Sequence, residues 1–189
     1  MSKEGKLIIL DRDGVINQDS DDYIKSPEEW TPISGSLEAI AKLNKAGYKV
    51  AIATNQSGIA RGYYTAKVLD EMHKKMAGLL AELKGKVDHI AYCPHGPNDG
   101  CYCRKPSPGM LLEIAKAFSI SPEKVIFIGD SISDKNAAQA AKMKFTLVET
   151  GKGKRTLRSE KAEGNIIDYP VFASLLDVVK SLLAANKPS

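Results

Sequence analysis

The chain has 189 residues, 43% of them hydrophobic and 26% charged, with a formal net charge of +4. That length and balance suit one domain with a proper core and exclude a disordered chain, while no apolar run nears the ~20 residues that span a bilayer. Three cysteines, all between Cys93 and Cys103, cannot make a disulfide framework; in a reducing compartment such a cluster reads as metal ligands.

Residues 1–5 lead straight into an apolar run without a cleavage-type site, so no secretory leader is expected and the chain reads as cytoplasmic. The first strand is expected over 7–10. A helix follows, with Ser36 as N-cap, Leu37, Ile40, Ala41 and Leu43 turned inward, and Gly47 just past its end. The second strand is expected over 50–53. After Thr65 comes a longer helix carrying Val68, Leu69, Met72, Met76, Leu79, Leu80 and Leu83 at helical spacing. Strands over 87–92, 125–128 and 145–148 alternate with helices after Pro108 and after Ser133, and an amphipathic stretch over 171–183 closes the chain. His73 on its helix and His89 in its strand read as structural. Lys152, Lys154, Arg155, Arg158 and Lys161 form a basic segment that reads as a solvated face before it reads as an attractor of anions.

Strands that are apolar on both faces and alternate with helices predict an α/β fold, a doubly wound parallel sheet of Rossmann-like type, as one domain over residues 1–189. Such sheets bind ligands beyond the carboxyl ends of their strands. Polar residues stand at those ends: Asp11-Arg12-Asp13-Gly14, Thr54-Asn55-Gln56-Ser57-Gly58, the Cys93 cluster, and Gly129-Asp130-Ser131.

Asp11 and Asp13 stand two apart, a spacing that lets both carboxylates face one side of an extended chain. Close carboxylates repel unless a cation offsets them, and magnesium, with Asp130 completing the site, answers that need. One carboxylate can then attack phosphorus while the other handles the proton. Alone, the tetrapeptide reads first as a strand-ending turn, since Asp and Gly are common there. The hydroxyl of Thr54 and the ammonium of Lys105 add what phosphoryl transfer requires. Asp134 either supports Asp130 or caps the helix that it opens.

In order, Asp11-x-Asp13-Gly14, Thr54-Asn55, Lys105-Pro106 and Gly129-Asp130-x-x-x-Asp134 resemble the haloacid dehalogenase superfamily of phosphatases, over Lys6 to about Val148. The resemblance implies Asp11 as nucleophile, Asp13 as acid and base, and Thr54 and Lys105 as phosphate stabilisers. It implies magnesium held by Asp11, the Asp13 carbonyl and Asp130. Neither 14–36 nor 58–87 is long or varied enough for the cap domain that many members insert, so a capless enzyme is expected. Specificity then falls to loops, with Asp19, Asp22, Tyr23, Asn55, Gln56 and Ser57 as candidate substrate contacts.

Cys93, His95, Cys101 and Cys103 supply three thiolates and one imidazole, a full tetrahedral set for structural zinc that would pin a loop over the sheet edge. Together with the run Gln56-Ser57-Gly58-Ile59-Ala60-Arg61-Gly62 and Thr150-Gly151-Lys152, this ligand pattern is similar to the heptose bisphosphate phosphatase branch. That likeness implies a small-molecule sugar bisphosphate substrate from surface-glycan biosynthesis, recognised by Arg104. A monomer needing no nucleic acid and no membrane is expected. Where that branch often has lysine after the metal aspartate, this chain has Ser131, and Lys152 is a candidate to compensate. Histidinol-phosphate phosphatases share the carboxylates, zinc ligands and Arg104-Lys105-Pro106 run. A zinc-loop nucleic-acid module, binding or processing 3′ ends, is the alternative of another class.

Overall fold

The computed structural model describes residues 6–185. Residues 1–5, on which the no-leader expectation rests, lie outside them. Among the described residues, six parallel strands stand in the order β3-β2-β1-β4-β5-β6. They are β1 (Lys6–Leu10), β2 (Tyr48–Asn55), β3 (His89–Cys93), β4 (Ile126–Gly129), β5 (Lys144–Val148) and β6 (Val171–Phe172). The helices are α1 (Ser36–Lys45), α2 (Ala66–Glu82), α3 (Gly109–Ala117), α4 (Ile132–Ala140), α5 (Gly153–Ala162) and α6 (Leu175–Ala185).

Alternation along each strand splits the core in two. On one face, Ile8, Leu10, Val50 and Ile52 pack with Ile40 and Leu43 of α1, Leu69, Met72 and Met76 of α2, and Val178 and Val179 of α6. Leu7, Ile9, Ala51 and Ala53 face the opposite way, onto Leu111 and Ile114 of α3 and Ala137 and Ala138 of α4. Helices therefore cover both faces, which is why the strands read as uninterrupted apolar runs. Between Gly14 and α1 the chain forms no helix or strand of its own beyond the isolated bridges Asp13–Asn17 and Asn17–Pro32, and 58–87 is chiefly α2. No described helix is long and apolar enough to cross a membrane.

Several boundaries differ from expectation. Gly35, at φ 80, precedes α1, and Ser36 is its first residue; the Ser36 hydroxyl donates to the Ile16 carbonyl at 2.6 Å instead of capping. The cap of α4 is Ser131 rather than a residue after Ser133. The basic segment is largely α5, which buries Thr156 and Glu160, so it is not merely a solvated face. The closing stretch divides into β6 and α6 because Leu147 and Glu149 donate their N–H groups to the carbonyls of Pro170 and Phe172.

Candidate active site

β1 lies between β2 and β4, where chain order along the sheet reverses, and a crevice opens beyond the strand ends there. Asp11 is the first residue past β1. Its N–H still donates to the Ile128 carbonyl at 2.9 Å, so its carboxylate leaves the sheet from a fixed point. Asp11, Asp130 and Asp134, all buried, each offer an oxygen, and these lie within 4.8 Å of one another. Lys105 stands among them at 2% exposure, with Nζ 2.9 Å from Asp11 and 2.7 Å from Asp134. It also donates to the Ala53 carbonyl at 2.8 Å.

Asp134 serves the cap and the cluster together. Its Oδ2 accepts from the N–H groups of Ser131 at 3.0 Å and Asp130 at 3.2 Å, while Oδ1 faces Lys105. Three buried carboxylates against one ammonium leave excess negative charge. Burial, then repulsion from Asp134, pushes Asp11 up to about 7 against the pull of Lys105. Burial, then Asp11 and Asp134, pushes Asp130 up to about 8. Burial alone would lower Lys105, but the facing carboxylates outweigh it and raise its pKa.

Asp13 differs from the expectation drawn from spacing. The strand ends at Leu10, so alternation no longer governs residue 13, and its carboxylate stays outside the acid cluster although it lines the same cavity as Asp11. Arg12, fully buried, reaches Asp13 Oδ1 at 2.8 Å and Oδ2 at 3.1 Å through Nη2. Asn17 donates to Oδ1 at 2.8 Å and Gln56 to Oδ2 at 2.9 Å. Burial alone would raise Asp13, but Arg12, Asn17 and Gln56 together hold it below the ordinary carboxylate value. An arginine, not a shared cation, offsets this second charge, so any share of Asp13 in a metal would come through its main-chain carbonyl.

Asp11, Asp13, Lys105 and Asp130 line a cavity of about 430 Å³ that also takes in Asp19, Tyr23, Thr54, Asn55, Gln56, Ser57 and Arg104. Asp22 is exposed and outside the lining; its neighbours Ser20 and Asp21 are part of it. Asn55 is committed to the main chain of Lys105, donating to its carbonyl at 3.0 Å and accepting from its N–H at 3.1 Å. Arg104 Nη1 donates to the His95 carbonyl at 3.1 Å, which ties the cavity rim to the cysteine loop. Lys152 lines the cavity: its N–H donates to Asp130 Oδ2 at 2.7 Å, and its Nζ is 3.1 Å from Asp19. Arg12 and Tyr64 are participants that the sequence reading did not single out, and Arg155 figured there only within the basic segment. A basic residue locked between two acids at a strand end was the one available signal for Arg12.

A family model described as haloacid dehalogenase-like hydrolase matches residues 3–142. The chain belongs to that family. Among haloacid dehalogenase-like relatives, D-glycero-beta-D-manno-heptose-1,7-bisphosphate 7-phosphatase of Pseudomonas putida is 55% identical, over 94% of this chain and 99% of its own. The protein of that name from Neisseria meningitidis serogroup B is 48% identical, over 96% of each chain. A crystal structure of D,D-heptose 1,7-bisphosphate phosphatase from B. bronchiseptica, complexed with magnesium and phosphate, superposes with a TM-score of 0.91. It is 48% identical and covers 95% of this chain and 99% of that one.

The haloacid dehalogenase-like acid cluster fits a hard divalent ion. Its donors are all oxygen, and the raised Asp11 and Asp130 mark a charge excess that such an ion relieves. The four cysteine-loop residues fit a softer one. Cys93 Sγ lies 3.6 Å from Cys101 Sγ, 3.2 Å from Cys103 Sγ and 3.6 Å from His95 Nδ1, and all four ligand atoms fall within 4.8 Å of one another. Three sulfurs and one imidazole so converged make a closed tetrahedral donor set, suited to zinc.

Proposed function

We propose that this chain hydrolyses the 7-phosphate of D-glycero-D-manno-heptose 1,7-bisphosphate through an aspartyl phosphate on Asp11. The observation that carries the chemistry is Asp11 itself: a buried carboxylate opening on the cavity, with an ammonium 2.9 Å away and two further acids beside it. The near full-length likeness to heptose bisphosphate phosphatases supports the substrate.

Asp11 attacks phosphorus while Thr54 and Lys105 hold the phosphoryl oxygens. Asp13 gives the departing sugar oxygen its proton, then takes one from the water that cleaves the acyl phosphate. Giving that proton requires Asp13 to gain one, so substrate must loosen its contacts with Arg12, Asn17 and Gln56. Magnesium on Asp11, Asp130 and the Asp13 carbonyl would supply positive charge to the transferring group. Zinc on Cys93, His95, Cys101 and Cys103 would hold the loop that delivers Arg104 and Lys105. Arg104 offers a fork for the second phosphate. The setting is a single domain over 1–189, working as a cytoplasmic monomer.

The test is phosphate release, with magnesium, from heptose bisphosphate, histidinol phosphate and a 3′-phosphorylated oligonucleotide. Heptose bisphosphate is expected to be cleaved fastest, and Asp11→Asn should lower kcat by at least ~10³-fold. Arg104→Ala should lose kcat/KM on bisphosphates about tenfold more than on a monophosphate. Faster cleavage of histidinol phosphate or the oligonucleotide, or full activity in Asp11→Asn, would refute the reading.

A further inference from the structure

Gln56 stands among the candidate substrate contacts, yet its amide is spent inside the protein. It is 2% exposed. Nε2 donates to Asp13 Oδ2 at 2.9 Å and to Thr54 Oγ1 at 2.8 Å. Oε1 accepts from Tyr64 Oη at 2.5 Å and from Arg12 Nη2 at 3.3 Å. The orientation of this amide is forced, because a guanidinium only donates and an ionised carboxylate only accepts. Oxygen must face Arg12, and nitrogen must face Asp13.

That forced orientation fixes another group. A threonine hydroxyl has one hydrogen, and the hydrogen turns to whichever acceptor is offered. Gln56 presents a donor to Thr54, so the Thr54 oxygen accepts there and its hydrogen must go elsewhere. Thr54 is 1% exposed and lines the cavity, where a phosphoryl oxygen would arrive. We infer that Gln56 is a positioning residue: it aims the Thr54 hydroxyl hydrogen at the transferring phosphoryl group. Tyr64 belongs to the device, since its hydroxyl donates to the amide oxygen and completes that oxygen's partners beside Arg12. A donor aimed before substrate arrives needs no reorganisation at the moment of transfer, which is where such groups gain their effect.

The inference rests on reading Thr54 as a phosphoryl contact, and it separates from a structural or sugar-binding role for Gln56. Gln56→Met keeps the bulk and removes the polarity. Gln56→Glu keeps the shape and reverses it, so that Thr54 donates to residue 56 and a second carboxylate faces Asp13. We expect kcat to fall about 10-fold in Gln56→Met and about 10²-fold in Gln56→Glu, with KM within about two-fold of wild type. The loss should be equally large on p-nitrophenyl phosphate, which has no sugar to contact. In a Thr54→Val background, Gln56→Met should cost less than about two-fold, because the hydroxyl that it aims is gone. Should Gln56→Glu unfold, this cycle with Gln56→Met decides alone.

Three results would overturn the role while leaving the site reading intact, provided that wild type releases phosphate from both esters. They are a Gln56→Glu enzyme as fast as Gln56→Met, a loss confined to KM for the sugar substrate, or full additivity with Thr54→Val. A wild-type protein inert on both esters would instead refute the reading of the site, and this role with it.

Discussion

Arg12 and Asp13 illustrate how a single ion pair can matter or not according to where it sits. The Lys74–Asp70 pair on α2 is as short, at 2.7 Å, but its side chains are 73% and 59% exposed. Solvent screens such a pair, and its loss should leave stability almost unchanged. The Arg12 side chain is 1% exposed, and its guanidinium is held by Asp13, Gln56 and the Met72 sulfur. Arg12→Met would strand a carboxylate whose side chain is 22% exposed, and a loss of about 2–3 kcal/mol, less than a fully buried pair would cost, is expected in urea denaturation. Adding Asp13→Asn should restore part of that loss, since the stranded charge is then gone. A double variant no more stable than Arg12→Met would show that the cost lies in packing and not in charge.

At the scale of loops and elements, two glycines bring the turn after β1 against the turn after β5. A Cβ on Gly151, which has φ 55, would stand 2.2 Å from Asp130 Oδ2 and 2.4 Å from the Gly14 Cα. A Cβ on Gly14, at φ 83, would meet the same carboxylate at 2.0 Å. Thr150 ties the two turns by donating to the Gly14 carbonyl at 2.6 Å. Gly151→Ala is therefore expected to cost about 1–3 kcal/mol and to raise the magnesium concentration needed for half-maximal activity, because Asp130 must shift. Gly47→Ala is the control: φ is also 83, but no described atom lies within 4 Å, so only about 1 kcal/mol of backbone strain and no change in magnesium demand should appear. An equal magnesium demand in both variants would mean that the packed turns do not position Asp130. These contacts also mark where sequence reasoning ran out. Strand ends and the residues just beyond them were legible, since apolar runs on two faces announce a covered sheet, and acids at such ends announce a site. The helix α5 was not, because its outward face is dense with lysine and arginine. Its anchors, Thr156 and Glu160, are polar: Thr156 donates to the Asp130 carbonyl at 2.9 Å, and Glu160 is bound by Lys135 and Tyr169. Nor was the Asp13 clamp legible, since it depends on a chain reversal at Gly14 that brings Asn17 back to residue 13.

Over the whole molecule, the acid cluster couples stability, pH and metal. Asp11 and Asp130 lie in the folded protein near 7 and 8, against an ordinary value of 3.8. The folded state therefore holds their protons more tightly than the unfolded chain does. Without magnesium, their contribution to stability is full below the ordinary value and is lost as pH rises through the folded values. His73 runs the other way: burial lowers it from 6.5 to about 4, so its neutral form adds stability as pH climbs towards 6.5 and nothing further above it. The lowered Asp13 acts only below 3.8. The acid cluster thus dominates above pH 6.5, and magnesium-free protein with its cysteine-loop metal retained should lose melting temperature from there to about pH 8.5. Magnesium competes with those protons, so the rise in melting temperature that it produces should widen over the same interval. Calorimetry with and without the ion, at matched ionic strength, reads both slopes. Asp130→Asn removes one of the two titrating groups and should flatten the metal-free slope and shrink the magnesium gap together. A gap constant across the interval, or a metal-free slope that Asp130→Asn leaves unchanged, would place the charge excess somewhere other than this cluster.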